Sequence, residues 1–238
     1  PFDGAIAAAR TCYSPRVIGT NEVTDKQRDS IGAPTFDAGH HTVYQHAHFE
    51  FGLENISRQF VWSFLHSYPF YNSEQSSQRF VRLDRIAVHV PQGLEPAARA
   101  VFEEGVTEAW EAYRSLSQIL GEDTAKIMTE LRHVGPRASD KRKKRAAREA
   151  EKKAIELARY VIPLAAHTWM VHTVSGIVLH RLYRMMRTGD APAESAAVVQ
   201  AMVDLVRGVD PAFFDHVGEG PLGESELSES RFPRTEGG

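Results

Sequence analysis

The stretch from Ile56 to Leu83, ISRQFVWSFLHSYPFYNSEQSSQRFVRL, constrains this chain more than any other. Ile56, Phe60, Val61, Phe64 and Leu65 fall on one face of a helix. Pro69 ends that helix, because proline lacks a backbone N–H and disfavours helical geometry in the residue before it. Tyr71, Asn72, Ser73, Glu74, Gln75, Ser76, Ser77, Gln78 and Arg79 then offer side-chain donors and acceptors without interruption. A buried helix delivering such a loop is a rigid support for a polar-ligand site. A solvated turn with capping residues is the other arrangement the pattern allows.

A chain of 238 residues can bury a sizeable core, as one large domain or two small ones. Its net charge of -3 supplies no basic field, so no nucleic-acid partner is expected. Cys12 is the one cysteine, which excludes an internal disulfide and fits a reducing, cytoplasmic setting. No run of about 18 apolar residues occurs, and no membrane span is expected.

Residues 2–14 predict a short structured opening closed by Pro15, and residues 16–38 a polar, turn-rich loop. Phe49, Phe51 and Leu53 alternate with Glu50, Gly52 and Glu54, the period of a half-buried strand. His40, His41, His46 and His48 precede it. No carboxylate or cysteine stands at metal-ligand spacing around them, so no metal site is assigned, and capping, core or ligand-loop roles are preferred. Residues 80–91 predict a further strand, broken by Pro91-Gln92-Gly93.

From Pro96 to Leu120, Phe102, Val106, Ala109, Trp110, Tyr113 and Leu120 make the apolar stripe of a helix, which Gly121 is placed to end. Ser139 and Asp140 can cap the next helix, which opens KRKKRAAREAEKK. Glu149, Glu151 and Glu156 interleave with these cations, so a solvated face is expected rather than a polyanion-binding one. Residues 154–187 read as a buried helix pair kinked at Pro163, too apolar for one subunit to cover, which implies an oligomer. Residues 193–207 form a further helix. Residues 1–217 are expected to make one domain, with the Gly-, Glu- and Ser-rich residues 218–238 a flexible tail or linker.

Five segments together resemble the flavin-dependent thymidylate synthases: ARTCYS, GHHTVYQHAHFEF, ISR entering a helix, SSQRFV, and ARYVIPLAAHT followed by VLHRLYRMMRTGDAPAE. The resemblance covers most of residues 5–214. It implies an α+β, helix-rich thymidylate synthase-complementing-protein-like fold with a small antiparallel sheet, assembled as a homotetramer. It also implies nucleotide methylation, in which a one-carbon unit passes from methylenetetrahydrofolate to C5 of dUMP with FAD reduced by NADPH. On this resemblance Ser77 and Arg79 are the catalytic candidates. Gln75, Ser76, Gln78, Arg159 and Arg187 are assigned to substrate, and His46, His66, Arg181 and Glu194 to the cofactor.

The chain also departs from the family pattern. His66-Ser67-Tyr68 stands where the resemblance implies Arg-His-Arg, removing two guanidiniums suited to bidentate contacts. Ser175 and Ile177 replace an asparagine and an arginine of the flavin site, and Arg181 replaces a second asparagine. Met186 replaces a nucleotide-binding arginine, with Arg187 one place away. Ala191-Pro192-Ala193-Glu194-Ser195-Ala196 keeps the glutamate of its element but not the glutamine or arginine. These changes predict a weakened grip on FAD. They leave a second reading open, a catalytically lapsed member serving as a structural or regulatory half of a larger assembly.

Overall fold

The alternation at Phe49, Phe51 and Leu53 does make a strand: β1, His48–Ser57, buries those three side chains and exposes the residues between them. The computed structural model describes residues 1–67, 71–188 and 191–218. Within them α1 (Phe2–Thr11) and α2 (Asp25–Asp37) precede β1, and α3 (Arg58–Ser67) and β2 (Tyr71–Gln75) follow it. Next come α4 (Pro96–Leu131), α5 (Asp140–Ala158), β3 (His167–Ser175), α6 (Gly176–Met186), α7 (Ala193–Val209) and α8 (Pro211–His216). The expected tail falls outside the described residues, apart from Gly218. The fold is α+β and helix-rich, with one small sheet in the order β1-β3-β2.

Hydrogen bonds set the register. The Gly176 N–H donates to the Ala47 carbonyl at 2.7 Å, and the Arg58 N–H to the Ala166 carbonyl at 3.0 Å. Numbers rise on one strand as they fall on the other, so β1 and β3 run antiparallel. Ser73 opposite His172 and Ser76 opposite Trp169 give the same sense for β2.

Four expectations need correction. Residues 80–91 contribute only a bridge, Val88 to Ala166, and the second strand comes instead from the polar loop at Tyr71–Gln75. The 154–187 segment is not a helix pair, because α5 stops at Ala158 and β3 follows. In β3 Thr168, Met170, His172 and Val174 are buried while Trp169 and Val171 are about half exposed, which is period two built from β-branched and aromatic residues. Gly121 does not end α4, which runs on to Leu131; the left-handed residue is His133, at φ 49°. An interior glycine costs only about 1 kcal/mol, which a helix of 36 residues absorbs. Finally, residues 25–37 are helical rather than loop, opened by a capping box in which the Thr24 N–H donates to Gln27 Oε1 at 3.0 Å.

The chain divides into two compact units. The first comprises residues 1–52, 62–73 and the described residues from Val171 onward. Phe213 is fully buried in it, with ring centroids 6.2 Å from Phe2, 5.6 Å from Phe49 and 6.3 Å from Tyr44. The second comprises residues 53–61 and 74–170, dominated by the α4–α5 pair. There Val106, Trp110 and Tyr113 are buried on α4, while Ala146, Ala150, Ala154 and Ala158 give α5 a smooth buried stripe that admits close helix approach.

Gly176 meets Phe213 closely enough that an added Cβ would lie 2.3 Å from ring carbon Cζ. Gly176→Ala is therefore expected to lose roughly 1–3 kcal/mol of stability by overpacking. Urea melts of the two proteins check this, and an unchanged midpoint would contradict it.

Candidate functional site

In the second unit the polar loop is pinned to the central strand. The Ser76 N–H donates to the Trp169 carbonyl at 3.0 Å, and Gln75 Nε2 to Thr168 Oγ1 at 3.4 Å. Ser77 then turns the chain: its carbonyl accepts the N–H groups of Phe80 and Val81, both at 3.0 Å, and its hydroxyl accepts from the Arg79 N–H at 3.3 Å. Gln78 is buried, and its Nε2 has no hydrogen-bond partner among the described residues. A buried amide donor left open is costly unless something binds to it.

Arg79 and Arg159, distant in sequence, meet at one residue. Arg79 Nε lies 3.6 Å from Glu156 Oε1, and Arg159 Nε donates to the Glu156 backbone carbonyl at 3.1 Å. Lys153 Nζ donates to Glu156 Oε2 at 2.8 Å. The Lys153 hydrogen bond, with the nearby charges of Arg79 and Arg159, holds the Glu156 carboxyl below the usual carboxylate range. Arg58 adds a further cation. Its guanidinium has no hydrogen-bond or ion-pair partner among the described residues, and burial, then the charge of Arg159, pushes its pKa down. The ISR segment carried Arg58 in plain sight, but nothing in its helical spacing singled the residue out.

The first unit holds the candidates assigned to the cofactor. His46 lines an open hollow of about 490 Å³ with Thr42, Gln45, His48, Asn72 and Thr173. Arg181 donates to His41 Nδ1 at 2.7 Å, so His41 carries its proton on Nε2, which reaches the Phe36 carbonyl at 3.2 Å. His66 is held locally, its Nδ1 2.6 Å from the Trp62 carbonyl and its ring 4.2 Å from the indole. Arg187 is exposed at the end of α6 and donates to Tyr183 Oη at 2.8 Å, while Glu194 is half-buried in the first turn of α7. Of the replaced positions, Ile177 is buried and does not line the hollow, and Ser175, at the N-terminal boundary of α6 without a capping side-chain hydrogen bond, lies in the hollow's wall. Two imidazoles, three hydroxyls and two side-chain amides around one concavity fit the polar edge of a flavin as a donor set. Tyr68 lies outside the described residues. Among the described residues no group of three His, Cys, Asp or Glu side chains is placed to hold a metal ion, and no helix is long and apolar enough to cross a membrane.

The matches to known proteins cover nearly the whole chain. The family model described as thymidylate synthase complementing protein matches residues 2–212. A flavin-dependent thymidylate synthase of Geobacter sulfurreducens is 30% identical over 233 residues, covering 92% of this chain and 84% of the relative. One of Clostridium tetani is 29% identical over 219 residues, covering 89% of this chain and 80% of the relative. The fold is similar to that of thymidylate synthase X from Helicobacter pylori, solved with FAD and dUMP, at a TM-score of 0.53 and 16% identity over 92% of this chain and 96% of that one. The chain belongs to the thymidylate synthase complementing protein family.

His172, buried in β3, gives the first unit a measurable pH response. It shares a 2.7 Å hydrogen bond with Ser73 Oγ and packs 4.9 Å from Phe64. Burial pulls its pKa from 6.5 down to about 4. The unfolded chain therefore takes up a proton that the native state refuses, and stability falls as pH drops from about 6.5 to about 4. The loss is expected to reach about 2–3 kcal/mol, and His172→Gln should flatten that part of the pH–stability curve. Denaturant melts at a series of pH values check it; equal slopes in both proteins would contradict it.

Proposed function

We propose that this chain is a flavin-dependent thymidylate synthase, methylating dUMP at C5 with a one-carbon unit from methylenetetrahydrofolate. The observation that carries the reading is the meeting of Arg79 and Arg159 beside the Gln75–Gln78 loop. Two guanidiniums are suited to a phosphate monoester, since each can donate two parallel charge-assisted hydrogen bonds. Ser77 and Ser76 add hydroxyls, and Gln78 offers the open amide donor. The activity for which the relatives are named and the dUMP and FAD of the Helicobacter pylori structure agree with this assignment.

Thymidylate formation of this kind needs FAD. His46, Gln45, Thr42, Asn72 and Thr173 would hold its polar groups, with His66, Arg181 and Glu194 as further contacts. When bound and reduced by NADPH, the flavin supplies the reducing equivalents of methyl formation. Arg79 and Arg159 would hold the nucleotide's phosphate, and Gln78 offers it a further donor. Arg187, which donates to Tyr183 Oη and Gln200 Oε1, is proposed as a substrate residue of the first unit. The reading of a lapsed partner is the weaker one, because the cations of the nucleotide site are retained and converge.

A homotetramer in the cytoplasm completes the reading, with residues 1–217 acting as one functional domain. Leu157, Tyr160, Leu164 and Trp169 are 49%, 78%, 60% and 50% exposed, which supports subunit contacts along this segment. Light scattering is expected to give a mass near four times 26.6 kDa, and a monomer would contradict it.

The test of activity is dTMP formation, followed chromatographically, from purified chain with dUMP, methylenetetrahydrofolate, NADPH and FAD. Product is expected; its absence, with dUMP and flavin bound, would favour the lapsed reading. Arg79→Ala should weaken dUMP binding roughly 10- to 100-fold in calorimetric titration, the effect of losing a charge-assisted contact.

A further inference from the structure

Glu156 stands between the cations that the nucleotide reading assigns to phosphate. Its carboxylate faces Arg79 Nε at 3.6 Å and accepts from Lys153 Nζ at 2.8 Å, while its backbone carbonyl accepts from Arg159 at 3.1 Å. We propose that the Glu156 carboxylate is an internal competitor of the nucleotide's phosphate, holding Arg79 until dUMP arrives and releasing it on binding. This inference rests on the nucleotide assignment of Arg79 and Arg159.

Three features of the second unit carry it. The contact to Arg79 is loose, at 3.6 Å, beyond the length of a good charge-assisted hydrogen bond, so little binding is lost when it opens. The cations outnumber the carboxylate: Arg79, Lys153 and Arg159 gather around Glu156, and Arg58, close enough to feel the charge of Arg159, has no anion of its own among the described residues. Such a cluster can accept a second and more highly charged anion. Finally, Glu156 remains tied to Lys153 after Arg79 leaves, so the displaced carboxylate is never stranded without a cation. A phosphate monoester carries more charge than a carboxylate and presents more oxygens to a guanidinium fork, so it wins the exchange. The glutamate makes the site select for phosphate: a neutral nucleoside has nothing with which to displace it.

The experiment is calorimetric titration of dUMP and of deoxyuridine, which lacks the phosphate, into FAD-supplemented full chain. Wild type, Glu156→Gln and Glu156→Ala are compared. Both variants should bind dUMP about two- to fivefold more tightly than wild type, the scale of an exposed ion pair, and bind deoxyuridine unchanged. Unchanged or weaker dUMP binding by the variants would overturn the proposal and make Glu156 a positioning residue for Arg79. Equal tightening toward both ligands would overturn it as well, because the gain would not involve phosphate. Wild type that binds no dUMP would bring down the nucleotide assignment itself and this proposal with it.

Discussion

Strand β3 is hydrogen-bonded along both edges, and much of the rest depends on that. Through one edge it holds β1, from which α3 departs; through the other it holds β2 and the loop beyond it. The 3.0 Å bond from the Ser76 N–H to the Trp169 carbonyl is the last rung before the loop turns at Ser77. A polar loop carrying this many donors would otherwise sample many conformations, at a backbone cost of about 1–2 kcal/mol per residue to order. Anchoring its first residues to a central strand leaves only a short turn to be ordered by a ligand.

Electrostatics follow from the same geometry. The last turn of α5 and the turn after it place Lys153, Glu156 and Arg159 at helical spacing, and the pinned loop brings Arg79 to them. The result is a cation-rich cluster with a carboxylate inside it, in a chain whose net charge is -3. Local arrangement, not overall charge, decides which ligands such a protein can hold.

Much of this was legible in the sequence, and the exceptions have physical causes. β1 was readable because one face is buried and the other wet, so Phe49, Phe51 and Leu53 alternate cleanly with polar or small residues. β3 was read as helix because its outward residues, Trp169 and Val171, are themselves apolar, which erases the alternation. Helix α2 buries only Gly32 and Phe36, too little to leave a stripe, yet its TDKQ capping box was there to be read. Of the candidate site, Gln75, Ser76, Ser77, Gln78, Arg79 and Arg159 could be named from the family resemblance. The meeting of Arg79 with Arg159 through Glu156 could not, because it depends on where β3 places α5 relative to the loop. Arg58 was hidden for a different reason: the absence of a counter-charge in space leaves no mark on sequence.

The ends of the described chain are stitched together. The Phe2 N–H donates to Asp210 Oδ2 at 2.7 Å across a separation of 208 residues, and the Phe2 ring packs against Phe213. Helix α1 packs chiefly on elements near it in sequence, α2 and the turns at residues 20–22 and 41–46, and the contacts of Phe2 with Asp210 and Phe213 close the last part of its surface. At ribosomal speeds of about 5–20 residues per second, on the order of 10–40 s separate the synthesis of Phe2 from that of Asp210, so this contact forms late. The second unit, whose α4–α5 contacts are near in sequence, has no such wait. During synthesis the contact between Phe2 and the Asp210–Phe213 turn is therefore among the last of the first unit to form, whereas α4 and α5 can pair as soon as both are made.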